Sequence, residues 1–320
     1  MTAPIILTIF AVLVATLGPR LLRSTDWPER SPRMGIIAWQ ATTASVVLAV
    51  VLIGVALALP TIPVTASVAE LIEACTLALR AQYSTPAGAA LSGAGVFLSL
   101  AVMTRVGYCL AAGLATAGLD RRRQLQALAL VARRHGCQAL VVDHPTAVAY
   151  CLPGRRQEIV LTTAALAALD EGQVAAVLAH EQAHLSGRHD LVLAAACALD
   201  RAFPRVPAFR AARDELARLI EMLADDAAAA RSDRLTVATA LVQLSGGSAP
   251  AAALGAGGRS ALARVRRLVA PARPLGAPRS ALAALAAAAV LTAPVAVAAA
   301  PAAMAATTDF CPISFPVQPL

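Results

Sequence analysis

The stretch Asp170-Glu171-Gly172-Gln173-Val174-Ala175-Ala176-Val177-Leu178-Ala179-His180-Glu181-Gln182-Ala183-His184 decides how the rest of the chain is read. Asp170 with Gln173 three residues on is a capping-box arrangement, so a helix is predicted to open there. Along that helix the pattern H-E-x-x-H sets His180 and His184 four residues apart, about 40° around the axis and one turn up. Two imidazoles so spaced face one tetrahedral metal. Glu181, next to the first of them, is placed to take a proton from the attacking water. The plain alternative is a chance helical pattern. Burying two histidines and a glutamate behind the apolar approach Val174 to Ala179 without partners would be costly, which favours one Zn2+ per chain.

A third ligand is then required, and there are two candidates. Arg213 to Asp225 reads as a second helix with Glu221 and Asp225 on one face. Glu221 could bind the metal while Asp225 accepts a hydrogen bond from a ligand histidine's other nitrogen. The rival is Asp190, which with Gly187 falls where the extended H-E-x-x-H-x-x-G-x-x-H pattern wants a glycine and a third ligand. Glu221 is preferred, and a helix-end hydrogen bond is the expected role of His189 and Asp190.

Outward from this stretch the chain is apolar. Of its 320 residues 58% are hydrophobic and 14% charged, against about 25% charged in soluble domains. Mean hydropathy is +0.68. An ordinary soluble domain and a disordered chain are both excluded. There is no lysine, so all 27 basic residues are arginine. That removes phosphate-cradling G-x-x-x-x-G-K-[ST] loops and ATP, the S-x-x-K and K-T-G motifs of penicillin-recognising enzymes, and lysine Schiff bases. Six cysteines without a C-x-x-C pair argue against a zinc ribbon or a disulfide scaffold.

Charge-free runs of roughly 20 residues or more predict four membrane spans, at 3–22, 37–59, 90–118 and 281–300. The first lacks a basic n-region and a clear cleavage site, and is read as a retained anchor. Residues 235–258, interrupted by glycines, read as a flexible linker. Arginines crowd the loop between spans one and two, follow span three at 121–123, and precede span four at 264, 266, 267, 273 and 279. By the positive-inside rule residues 119–280 face the cytoplasm, with the N-terminus and the tail 301–320 outside. The net charge of +8 is thereby assigned to topology and to contact with anionic membrane lipid rather than to direct nucleic-acid binding.

The predicted organisation is a membrane region with three spans over 1–118, a protease domain over 119–280, a fourth span over 281–300 and a short extracytoplasmic tail. Within 119–280, Leu119 to His135 reads as an amphipathic helix ended by Gly136, followed by strands at 139–143, 147–152 and 157–163. The fold class is mainly α: a four-span integral membrane protein with a cytoplasmic zincin-like α+β metalloprotease domain between spans three and four.

In order, Ala149-Tyr150-Cys151-Leu152-Pro153-Gly154, Glu158-Ile159-Val160-Leu161-Thr162, Val177 to His184 and Glu221-Met222-Leu223-Ala224-Asp225 resemble the integral-membrane gluzincins. The likeness is to the BlaR/MecR-type antirepressor metalloproteases and, more distantly, to HtpX-type and CAAX prenyl proteases. Three spans before the protease loop and one after are similar to the BlaR/MecR arrangement. The resemblance implies that His180, His184 and Glu221 ligate zinc, that Glu181 is the general base and that Asp225 supports a ligand. It implies peptide hydrolysis, with a polypeptide substrate lying on an edge strand around Glu158 to Thr163. The implied partner is a winged-helix repressor of BlaI/MecI type, or the chain itself. The sequence departs from that family in lacking the C-terminal penicillin-binding sensor domain. An HtpX-type quality-control protease and a non-catalytic receptor retaining the fold are the alternatives; the intact Glu181 argues against the receptor. The oxyanion donor is left between His189 and an arginine near Arg218, and a Cys75–Cys311 disulfide is a further expectation.

Overall fold

The computed structural model describes residues 2–59, 76–77, 80, 83–135, 139–154, 157–245, 258–271 and 273–307. The apolar N-terminal half forms α1 (Thr2–Arg23), the single turn α2 (Trp27–Arg30), α3 (Pro32–Ala58) and α4 (Pro86–Val131). Then come β1 (Arg133–His135), β2 (Ala139–Val142), β3 (Ala149–Leu152) and β4 (Glu158–Thr162). Seven helices complete the described chain: α5 (Thr163–Ala168), α6 (Glu171–Ser186), α7 (His189–Ala202), α8 (Pro207–Ala229), α9 (Arg234–Leu244), α10 (Gly258–Val269) and α11 (Ala277–Thr307). The protein is mainly helical. Among the described residues four helices, α1, α3, α4 and α11, are long and apolar enough to cross a membrane, which points to a membrane protein.

The chain divides into two compact units. The first takes in residues 1–14, 44–104 and 288–320. Its described core is Leu7, Ala11 and Ala49, with Phe10, Ile53 and Val297 against them. Helices α3 and α4 approach closely at Gly54 and Gly95. A Cβ on Gly95 would lie 2.8 Å from Leu57 Cβ, and the Ser99 hydroxyl donates to the Val51 carbonyl at 2.9 Å. Small residues and a hydroxyl bond are how apolar helices approach where burial from water supplies no drive.

The second unit, residues 15–43 and 105–287, carries the sheet and α5 to α10. Strand order is β1-β2-β4-β3, with β2 and β4 parallel and the outer pairs antiparallel. Strand β4 is covered on both faces, as its unbroken apolar run Ile159-Val160-Leu161 requires. Val160 packs with Leu125, Leu128 and Leu152, whereas Ile159 and Leu161 pack with Val177 and Leu185 of α6. Helix α8 buries Leu216, Leu219, Ile220 and Met222 against Ile36 and Trp39 of α3.

Three readings of the sequence need correction. The helix expected over 119–135 is the end of the continuous 46-residue α4. It stops at Val131, because Arg133 to His135 form a strand that pairs with Val141 to Ala139 and covers an edge of β2 that would otherwise stand open. The expected edge strand, 158–163, is internal. β4 bonds β2 on one side and β3 on the other, so among the described residues the free edge beside α6 belongs to β3. The linker read over 235–258 holds α9 through Leu244, capped by Asp233, whose carboxylate accepts from the Leu235 and Thr236 amides; 246–257 lies outside the described residues. Helix α11 runs to Thr307, a few residues past the expected end of span four at residue 300. Cys75 and Cys311 also lie outside the described residues.

Candidate metal centre

Helix α6 begins as its sequence predicts. The Asp170 carboxylate accepts from the Gln173 amide at 2.8 Å, and the Gln173 side chain accepts from the Asp170 amide at 3.1 Å. The cap sets the phase of a helix whose second half delivers His180, Glu181 and His184. After Gly187 the chain turns through Arg188, the one non-glycine residue with positive φ (46°) among the described residues, and α7 starts at once with His189. This tight reversal tucks the His189 imidazole under α6. Gly187 is required for space rather than for φ. A Cβ there would overlap the His189 ring, 2.7 Å from its Cδ2.

Glu221 and Asp225 come from the middle of α8, where they are buried at 6% and 1% exposure among Leu219, Ile220 and Met222. Their faces meet α6. His180 Nε2 and His184 Nε2 are 3.1 Å apart. Each is 3.6 Å from a different Glu221 oxygen: His180 from Oε2, His184 from Oε1. Ligand atoms of these three residues all fall within 4.8 Å of one another. A zinc about 2.0–2.1 Å from each of three tetrahedral donors needs donor separations of about 3.3 Å, so the set fits such an ion.

The nitrogens that do not face this point are engaged from behind. His180 Nδ1 donates to Asp225 Oδ1 at 3.1 Å, and His184 Nδ1 stands 3.1 Å from His189 Nδ1. In the neutral tautomer with its proton on Nδ1, each of the two histidines would present a bare Nε2 to the common point.

The charges of the site depend strongly on one another. Burial opposes charge on His180, but hydrogen bonds to Asp225 and Glu221 overcome it and lift its pKa to about 10. Burial and the neighbouring His180 push His184 down to about 3. Burial would raise the Asp225 carboxyl, yet Arg264 and His180 hold it well below the usual carboxylate range. Burial likewise opposes ionisation of Glu221, and His180 and Arg264 reverse the effect. Glu181 is pushed up, chiefly by burial. Two carboxylates held ionised beside one guanidinium leave one negative charge, which the His180 proton neutralises. A dication that displaced this proton would be balanced once Glu181 is ionised as well.

Two residues of the site were not expected. Cys151, on β3, lies beside Glu181, and burial followed by the Glu181 charge drives the thiol pKa upward. Arg264, on α10, is 7% exposed and ion-paired to both Glu221 and Asp225. Its sequence signal was its phase: it lies in the stripe Ala261, Val265, Leu268 rather than with the exposed Arg266. Its charge therefore does not contribute to the basic surface before span four.

Other candidates fall elsewhere. Asp190 pairs with Arg121 at 3.2 Å and is outside the ligand group. His189 stands behind His184 with its Nδ1 turned to that ring, and Arg218 pairs with Glu215 and Glu29 at the protein surface. Of the other histidines, His144 accepts from the Thr146 amide in a local turn.

An H-E-x-x-H helix converging with a glutamate from a second helix, beside a small sheet with a free edge, defines a metallopeptidase class of site. Residues 117–203 match the family model of peptidase family M48, which supports a metallopeptidase of that family. The matched segment spans the end of α4, the sheet, α6 and α7, and stops before Glu221, Asp225 and Arg264. No curated protein and no solved structure matches the chain.

Proposed function

We propose that the protein is a membrane-bound zinc metalloendopeptidase in which His180, His184 and Glu221 hold the metal and Glu181 is the general base. The observation that carries this reading is the convergence of two histidine Nε2 atoms and a Glu221 oxygen within 4.8 Å. A zinc bound there would act as a Lewis acid toward the scissile carbonyl and lower the pKa of the attacking water. Glu181 takes the proton from that water and returns it to the leaving amine, and its burial-raised pKa suits both roles. The Cys151 thiol steadies the Glu181 carboxylate from the β3 side. Asp225 and His189 keep the two imidazoles in the tautomer that leaves Nε2 bare. A polypeptide substrate adds to the free edge of β3, which brings its backbone past Glu181.

Within that activity, three candidate spans before the site and one after support a regulatory protease of BlaR/MecR type, acting on a BlaI/MecI-type repressor or on itself. The arginine distribution supports a cell-membrane location with the site on the cytoplasmic side. The M48 match names no regulatory subfamily, and on that observation quality-control proteolysis of HtpX type is the second reading. The test is hydrolysis of an unfolded polypeptide by the full chain in lipid vesicles. Wild type should cleave, chelation should stop it, and Glu181→Gln should be at least about 100-fold slower. Equal cleavage by Glu181→Gln would refute the mechanism.

A further inference from the structure

Arg264 reaches the site from the helix that immediately precedes α11. Its Nη1 is 2.8 Å from Glu221 Oε2. Its Nε donates to Asp225 Oδ2 at 2.8 Å and its Nη2 to Asp225 Oδ1 at 2.6 Å. One guanidinium thus grips both carboxylates that α8 sends to the histidines. Three residues on, Arg267 makes a matching two-pronged contact to Asp226, at 2.7 and 2.8 Å. Adjacent aspartates of α8 are therefore held by two arginines one turn apart on α10, the inner pair buried and the outer at the rim.

The arrangement bears on how Glu221 can ligate. A carboxylate with both oxygens free can bind a metal through one or both. Oε2, 3.6 Å from His180 Nε2, is engaged by Arg264, which leaves Oε1, 3.6 Å from His184 Nε2, as the oxygen the guanidinium does not hold. A catalytic site needs three protein donors and an open position, and a second Glu221 oxygen would take that position. Through Asp225 the same guanidinium fixes the acceptor that orients His180.

We propose that Arg264 is a positioning residue that restricts Glu221 to one metal-ligating oxygen and locks Asp225 onto His180, so that the site is catalytically shaped only while α10 is docked on α8. The proposal rests on the metallopeptidase reading above, and extends it to a control point on the segment leading into the last apolar helix.

The experiment uses the full chain, purified in detergent, stripped of metal and loaded with Co2+, whose visible absorption reports coordination number and geometry. The variants are Arg264→Ala, Arg264→Lys and, as a control on the same helix, the exposed Arg266→Ala. Wild type and Arg266→Ala should share one spectrum. Arg264→Ala should give a weaker band of higher coordination, with kcat on the loaded enzyme down about 100-fold and KM within about threefold, as a misplaced ligand predicts. Arg264→Lys keeps the charge but cannot span both carboxylates, and should fall between. An Arg264→Ala spectrum and kcat equal to wild type would overturn the proposal and reduce the contact to a structural tie. Where Arg264→Ala does not unfold cooperatively, Arg264→Lys decides: an altered spectrum supports the proposal and a wild-type spectrum overturns it. Wild type that takes up no Co2+ would remove the metallopeptidase reading and this inference with it, an outcome distinct from loaded protein indifferent to Arg264.

Discussion

Asp225→Asn separates the support of the site from its ligands, because the substitution preserves shape and removes only charge and acceptor capacity. The carboxylate is 1% exposed and accepts three hydrogen bonds: from His180 Nδ1 at 3.1 Å and from Arg264 at 2.6 and 2.8 Å. An asparagine has one acceptor oxygen. Placed at Oδ1 it keeps His180 and one Arg264 bond, but its NH2 then faces the Arg264 Nε–H, donor against donor. Placed at Oδ2 it loses both the His180 bond and the Nη2 bond. Either way Glu221 is left as the only carboxylate paired with a buried guanidinium. Breaking one side of a buried ion pair costs about 3–5 kcal/mol, and because Arg264 retains Glu221 the lower end, about 3 kcal/mol, is expected for the metal-free protein. Loss of the carboxylate charge behind His180, with or without the acceptor itself, lowers metal affinity by about 10–100-fold. Chemical unfolding of the detergent-solubilised chain can be followed through Trp39, which is 1% exposed and packs with the α8 core. Chelator competition gives the affinity. Unchanged unfolding together with zinc affinity within threefold of wild type would refute the account of Asp225.

Three further outcomes follow from the same geometry. Glu181→Gln should retain metal with wild-type stoichiometry while hydrolysis falls by about 10²–10⁴-fold, and loss of metal in that variant would reassign Glu181 as a ligand. Gly187→Ala must displace the His189 ring, leaving His184 Nδ1 without its partner, so metal affinity should drop about tenfold or more; unchanged affinity by competition would show that His189 does not orient His184. In the metal-free site His180 has its pKa raised from 6.5 to about 10, so its stabilising contribution is full below 6.5 and is lost as the pH climbs through 10. A cation must displace that proton, and zinc affinity should therefore rise about tenfold per pH unit between about 6.5 and 9. Affinities measured by competition that do not change across this range would contradict it.

The parts of the fold that could be read from sequence are those set by local rules. The α6 cap at Asp170 and Gln173, the four-residue spacing of His180 with His184 and of Glu221 with Asp225, and the apolar lengths of α1, α3, α4 and α11 are all written within one element. The readings that failed depend on neighbours. Arg133 to His135 is a strand only because β2 offers an open edge, and no periodicity over three residues signals that. The identity of the edge strand depends on β2 lying beside β4, a pairing that skips β3 and leaves no mark in either strand's composition. Cys151 looked like a small apolar residue of a β-run, because its partner Glu181 lies 30 positions on. Arg264 lay in a cluster of arginines whose collective reading was topological. Its phase within α10 separated it from Arg266, but its partners on α8 are 39 and 43 positions away.

The most direct test of the central claim is the metal content of the full chain purified in detergent, wild type beside Glu221→Ala and Asp190→Ala. The account predicts about one zinc per chain in wild type and in Asp190→Ala, and none in Glu221→Ala. Zinc retained by Glu221→Ala but lost from Asp190→Ala, or absent from wild type, would contradict it.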